Sequence, residues 1–201
     1  TYVIRNLVPG RPYYVKVSST NAAGLSIAQD STPISLAPPQ QKPSVPTEVY
    51  SAVHSANSLK MLWRYPQSDG GMSVTKYKVE WDFSASFDSN KGAPVGSQHK
   101  LVGEDECTGV HCHYIISGLE KGQKYYLRVF AYNGYGYSVK AGTPEGMWAI
   151  PMTQPSPPAK VAISAVNGNS MDVQIYPPVD MGGVDLTKYL IEYDCVGPEA
   201  Y

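Results

Sequence analysis

Apolar and polar positions alternate in short runs along much of this chain. Leu59, Met61 and Trp63 fall on every second residue, as do Tyr77, Val79 and Trp81, and then Tyr125, Leu127, Val129 and Ala131. A period of two belongs to a strand with one buried face. Further strands are expected over 45–53, 114–117 and 138–150. Turn residues separate the runs: Pro66 with Asp69-Gly70-Gly71, then Gly118 to Gly122, then Asn133-Gly134. No apolar stretch keeps helical spacing for long before a Gly or Pro interrupts it. Seven or so short strands joined by turns predict an all-β, antiparallel sandwich.

The pattern repeats. Tyr2, Ile4, Leu7, Gly10, Tyr13, Val17, Asn21 and Gly24 recur 112 residues later as Tyr114, Ile116, Leu119, Gly122, Tyr125, Val129, Asn133 and Gly136. Pro66, Gly70, Gly71, Tyr77, Glu80 and Asp82 recur in the same register as Pro178, Gly182, Gly183, Tyr189, Glu192 and Asp194. A period of this size is one domain length. Pro-rich joints lie at 37–46 and 151–158 and should be stiff and extended. Three units are expected: 1–41 as the C-terminal half of a sandwich, 42–151 as a complete one, and 152–201 as the N-terminal half of a further one. The chain reads as an internal excerpt. Two periods exceed its length by about 23 residues, the stretch equivalent to 90–112.

These residues carry a family resemblance. Pro43, Pro46 and Val49, with Pro155, Pro158 and Val161, form a Pro-x-x-Pro-x-x-Val opening. Trp63 sits in the second strand. A Pro-x-x-x-Gly-Gly turn and a Lys-Tyr-x-x-Glu strand run from Pro66 to Glu80. A Leu-x-Pro-Gly-x-x-Tyr-x-Val-x-Val corner spans Leu7 to Val17 and recurs from Leu119 to Val129, with Lys121 in place of the proline. The chain resembles the fibronectin type III family over essentially its whole length. The resemblance implies tandem immunoglobulin-like β-sandwiches joined by short Pro-rich linkers. Ile175 stands where the third unit should carry the Trp, and the segment from Phe83 to Gly109 is longer than the usual crossing between sheets. Leu7, Tyr13, Trp63, Tyr77, Leu119, Tyr125 and Val129 are expected in cores. Tyr13 and Tyr125 should return their hydroxyls to backbone near Leu7 and Leu119, which satisfies a buried polar tip.

Composition narrows the function. The 201 residues include 16 Tyr, 18 Gly and 17 Pro, a mixture suited to strands and turns rather than helices. Formal net charge is −1 with charges interspersed, so nucleic acid is not an expected partner. No apolar run approaches the ~20 residues of a membrane span, and Thr1 opens directly into strand-like sequence without a signal peptide. No Gly-x-Ser-x-Gly, phosphate-cradling glycine loop or His-Glu-x-x-His occurs. No enzyme, cofactor or metal site is expected. Neither Arg-Gly-Asp nor an Asn-x-Ser/Thr sequon is present.

The most chemical stretch is 104–113. Zinc on Cys107, Cys112, His111 and His113 is disfavoured by spacing, and calcium on Glu104, Asp105 and Glu106 because consecutive carboxylates rarely converge on one ion. A Cys107–Cys112 disulfide across Thr108-Gly109 is the better reading, with two free thiols in a cytosolic protein as the alternative. The bond implies an extracellular or cell-surface setting. Cys195 would then pair in the stretch beyond Tyr201. Tyr126, Phe130 and Tyr132 should point away from the core, where the first unit has Tyr14, Ser18 and Thr20. With Tyr135 and Tyr137 on glycine hinges they form a candidate interaction surface, unless long neighbours such as Lys78 and Arg128 cover the rings.

The expected function is a non-catalytic structural or assembly module of a repetitive extracellular or cell-surface fibre. Its partner is protein: head-to-tail self-association into a filament, or continuation of the same chain. The alternatives are an adhesion or receptor ectodomain binding through loops or the aromatic face, and an accessory region of a large secreted enzyme.

Overall fold

The computed structural model describes residues 1–105, 107 and 111–194. Its strands are β1 (Tyr13–Val17), β2 (Thr20–Asn21), β3 (Gly24–Leu25), β4 (Gln29–Leu36), β5 (Thr47–Ser55), β6 (Ser58–Arg64), β7 (Lys76–Asp82), β8 (Gly96–Leu101), β9 (His111–Ile116), β10 (Tyr125–Asn133), β11 (Gly136–Tyr137), β12 (Trp148–Ala149), β13 (Pro158–Asn167) and β14 (Ser170–Pro178). All pairing is antiparallel. This is an all-β, immunoglobulin-like sandwich fold.

The central strands form two sheets. One is β5-β6-β9; the other runs β11-β10-β7-β8, with β12 also on β10. Alternation places Leu59, Met61 and Trp63 of β6, Tyr77 and Val79 of β7, and Leu127, Val129 and Ala131 of β10 in one core, each 0–1% exposed. Val49, Ile116, Leu119 and Tyr125 complete it. On either side lie smaller groups of strands: β1 with β4 and β2 with β3 before the central unit, and the β13–β14 hairpin after it.

Three sequence expectations differ from the structure. The run 138–150 holds only the two-residue β12 and an isolated Val129–Gly142 bridge. Pro144, which lacks an N–H, and Gly146 at φ +74° turn the chain there. The long segment after β7 is not merely a crossing, because β8 within it pairs along β7 from Trp81↔Gly96 to Lys76↔Leu101. Residues 188–194, which match β7 in the repeat, form no strand. A strand exists through its neighbours, and β7 is paired on both sides by β10 and β8.

Candidate interaction surfaces

The corner tyrosines take matching bonds. Tyr13 hydroxyl accepts from the Val8 amide at 2.9 Å and Tyr125 hydroxyl from the Glu120 amide at 3.0 Å. Trp63 packs edge-on to Tyr77, with ring centroids 5.4 Å apart. Burial, and Tyr65 nearby, push the Tyr77 hydroxyl far above the usual tyrosine range. These residues support the sandwich.

Cys107 and Cys112 are joined, with Cα atoms 4.0 Å apart and both residues 1% exposed. Cys112 lies opposite Trp63 in the β6–β9 ladder, so the bond is part of the core. Cys195 lies outside the described residues, as do Glu106 and the Thr108-Gly109 pair between the bonded cysteines. Among the described residues no group of His, Cys, Asp and Glu is arranged to hold a metal. No helix among them is long and apolar enough to cross a membrane.

The outward face of β10 is half-buried beneath its own cations. Lys76 Nζ stands 4.4 Å from the Tyr132 ring centre. Lys78 Nζ lies 4.9 Å from the Phe130 and Tyr137 rings. Arg128 stacks over Phe87 at 3.9 Å and bonds Glu80 at 2.6 Å. Tyr137 hydroxyl meets His99 Nε2 at 2.8 Å. The aromatic stripe is therefore an amphipathic lattice of rings and charges rather than an open apolar patch. Tyr126 lies on the same strand, half-buried opposite Asp82. Tyr135, on the turn to β11, is 52% exposed.

Two features escaped the sequence reading. Asp82 is fully buried and holds the loop after β7. Burial alone would raise its pKa, but bonds from Ser89 and from the Phe83 and Val95 amides outweigh that and lower it. Its recurrence as Asp194 was the available signal. The second feature is the Gly-Gly turns, which meet the preceding unit. The carboxyl of Asp180 beside the second such turn is held below its usual range by Lys121, 2.6 Å away, and by the Gly182 amide.

The flanking strands carry bare apolar faces. Ile4, Leu7, Tyr13 and Val15 line one hollow; Val161, Val173, Ile175, Tyr189 and Ile191 line another. Each of these residues has a counterpart 112 positions away inside the central core: Ile116, Leu119, Tyr125 and Leu127 for the first set, and Val49, Met61, Trp63, Tyr77 and Val79 for the second.

The family profile of the fibronectin type III domain matches residues 44–145. The chain is 27% identical over 193 residues to the M-protein of striated muscle from Gallus gallus, covering 95% of this chain and 12% of that protein. It is 24% identical over 196 residues to titin of Drosophila melanogaster, covering 96% of this chain and 1% of titin. It is also 29% identical over 128 residues to neural cell adhesion molecule 1 of Gallus gallus, covering 64% of this chain and 11% of that molecule. The chain thus spans an eighth or less of the length of these relatives.

Proposed function

The chain belongs to the fibronectin type III family, and on that premise we propose that it is a non-catalytic structural module that assembles by packing β-sandwich units head to tail. Its units are 1–41, 42–151 and 152–201. One observation carries the reading: the bare apolar faces before and after the central unit are the two halves of that unit's own core, displaced by one repeat. A face carrying Val161, Val173 and Ile175 fits a face carrying Leu7, Tyr13 and Val15 as Val49, Met61 and Trp63 fit Leu119, Tyr125 and Leu127. The occupant of each face is the complementary half of the same repeat, from a second copy or from continuation of the same chain. Covering such faces is the main driving force for association. Where a second copy supplies the half, assembly is open, since a head-to-tail contact that does not close on itself propagates. The buried Cys107–Cys112 bond supports an extracellular or cell-surface setting.

The test is sedimentation of the full chain over a range of concentrations, with hydrogen exchange on the same samples. Association should grow with concentration, and the β1, β4, β13 and β14 amides should become protected together. A chain that remains monomeric, with these strands exchanging freely throughout, overturns the reading. The adhesion alternative has one observation in its favour, the exposure of Tyr135 on its turn.

A further inference from the structure

The two joints of this chain share the same pattern of backbone bonds. In the first, the Gln41 amide donates to Gly70 carbonyl at 2.9 Å and the Ser44 amide to Ser68 carbonyl at 2.9 Å; in the second, Thr153 donates to Gly182 at 2.9 Å and Ser156 to Asp180 at 2.8 Å. These bonds hold each linker's far end to the unit it enters. The near end is held by the unit it leaves, through Gly10 amide to Pro38 carbonyl at 2.8 Å and Gly122 amide to Pro151 carbonyl at 2.9 Å.

Between the two anchors the units meet directly, backbone on backbone. A Cβ placed on Gly71 would lie 2.3 Å from the Pro9 carbonyl oxygen. A Cβ on Gly183 would lie 2.8 Å from Lys121 Cγ and 2.9 Å from the Gly122 nitrogen. A turn of this kind needs glycine for its φ of +83° or +97°. It does not need a neighbour's loop pressed against it, yet both copies have one. The pairs are the same two repeat positions in each joint, Pro9-Gly10 on Gly71 and Lys121-Gly122 on Gly183.

We propose that the Gly-Gly turn of each unit is a socket for the corner loop of the unit before it, and that seating this loop fixes the orientation between successive sandwiches. Polar contacts then differ between joints. The second has the Lys121–Asp180 ion pair at 2.6 Å; the first has Pro9 and Ser68 at those positions and uses Gln40 Nε2 donating to Gly71 carbonyl at 2.8 Å. Each joint thereby discriminates its own neighbour, because Lys121 against an uncharged Ser68-type position leaves the ion pair unmade. The socket rests on the array reading above, but not on self-association.

The experiment measures one distance. Spin labels go on His54→Cys and Ser164→Cys, both exposed, in the full chain carrying Cys195→Ser, diluted into unlabelled chain. A single narrow distance distribution is expected. Inserting Gly-Ser between Pro151 and Met152 leaves the Gly122–Pro151 and Thr153–Gly182 bonds within their own units, and should broaden the distribution roughly twofold or more, as a freed flexible link requires. Gly183→Ala, which leaves the central unit's sequence untouched, should broaden it too, while the central unit's thermal midpoint holds in both variants. A distribution already broad in the parent chain, or one left narrow by both changes, overturns the socket. Failure of the assembly reading looks different: the distance stays narrow while sedimentation shows only monomer.

Discussion

The central unit and its flanks are written in nearly the same residues yet sit in opposite environments. Val129 is fully buried and Val17, its counterpart, is 66% exposed; Tyr77 is buried and Tyr189 is 41% exposed. Alternation of apolar side chains is equally clear in both. It specifies a strand with one face that requires covering, and leaves open which strand covers it. In the centre β5-β6-β9 and the five-stranded sheet cover each other; in the flanks each strand pair presents its face alone.

The strongest way to break this comparison is to remove the same position from both environments. Trp63→Ala should destabilise the central unit by roughly 3–5 kcal/mol, because it opens a cavity in a closed core. In the dilute, monomeric chain Ile175→Ala at the equivalent position should change the unfolding free energy by no more than about 0.5 kcal/mol. Urea titration followed by tryptophan fluorescence and circular dichroism reads both, and similar losses would mean that the flanking face is already covered.

A smaller effect sharpens the polar half of the comparison. Asn133 and Asn21 each accept an amide bond at 2.9 Å, from Tyr135 and Ala23. Only Asn133 is buried, and its Nδ2 also donates to the carbonyls of Gln41 and Asp69 at 2.8 and 2.7 Å. Asn133→Ala should cost about 1–3 kcal/mol by stranding those carbonyls; Asn21→Ala should cost a few tenths, on the order of an exposed turn bond. Equal costs in thermal unfolding would remove the distinction.

The smallest expected effect is a pH slope. Asp82 is held below its unfolded pKa of about 3.9. Its contribution is therefore complete above that value and lost as pH falls through the lower folded value. Stability of the central unit should decline across that acidic window, and Asp82→Asn should flatten the decline. An unchanged slope in the variant would place the acid sensitivity elsewhere.

Much of this fold was legible because it depends on alternation. β6, β7 and β10 follow from side-chain period, and the two corner bonds follow from Tyr13 and Tyr125. β8 was not legible. Its Gly96-Ser-Gln-His-Lys-Leu101 has no apolar alternation, and it holds its place through backbone bonds to β7, with Gly96 tucked beneath the Trp81 ring. The stretch 188–193 shows the reverse case, strand-like residues that form no ladder. Phe130 and Tyr132 read as an outward aromatic face, but the positions of Lys76 and Lys78 over them come from cross-strand register. The sockets were invisible for a simpler reason: Gly70-Gly71 reads as a turn, and nothing local to a turn records what approaches it from another unit.

β8 also bears on crowding. It is the outer strand of its sheet, and an unpaired rim is a template for fusion with another strand. Lys100 on that strand is turned inward, 9% exposed, and tied to Glu104 at 2.7 Å. At the opposite rim β11 and β12 are two residues each, and outermost β5 is interrupted by two register shifts. These rims offer poor templates for sideways fusion. A crowded solution of such units is thereby guarded against strand-to-strand fusion at these rims.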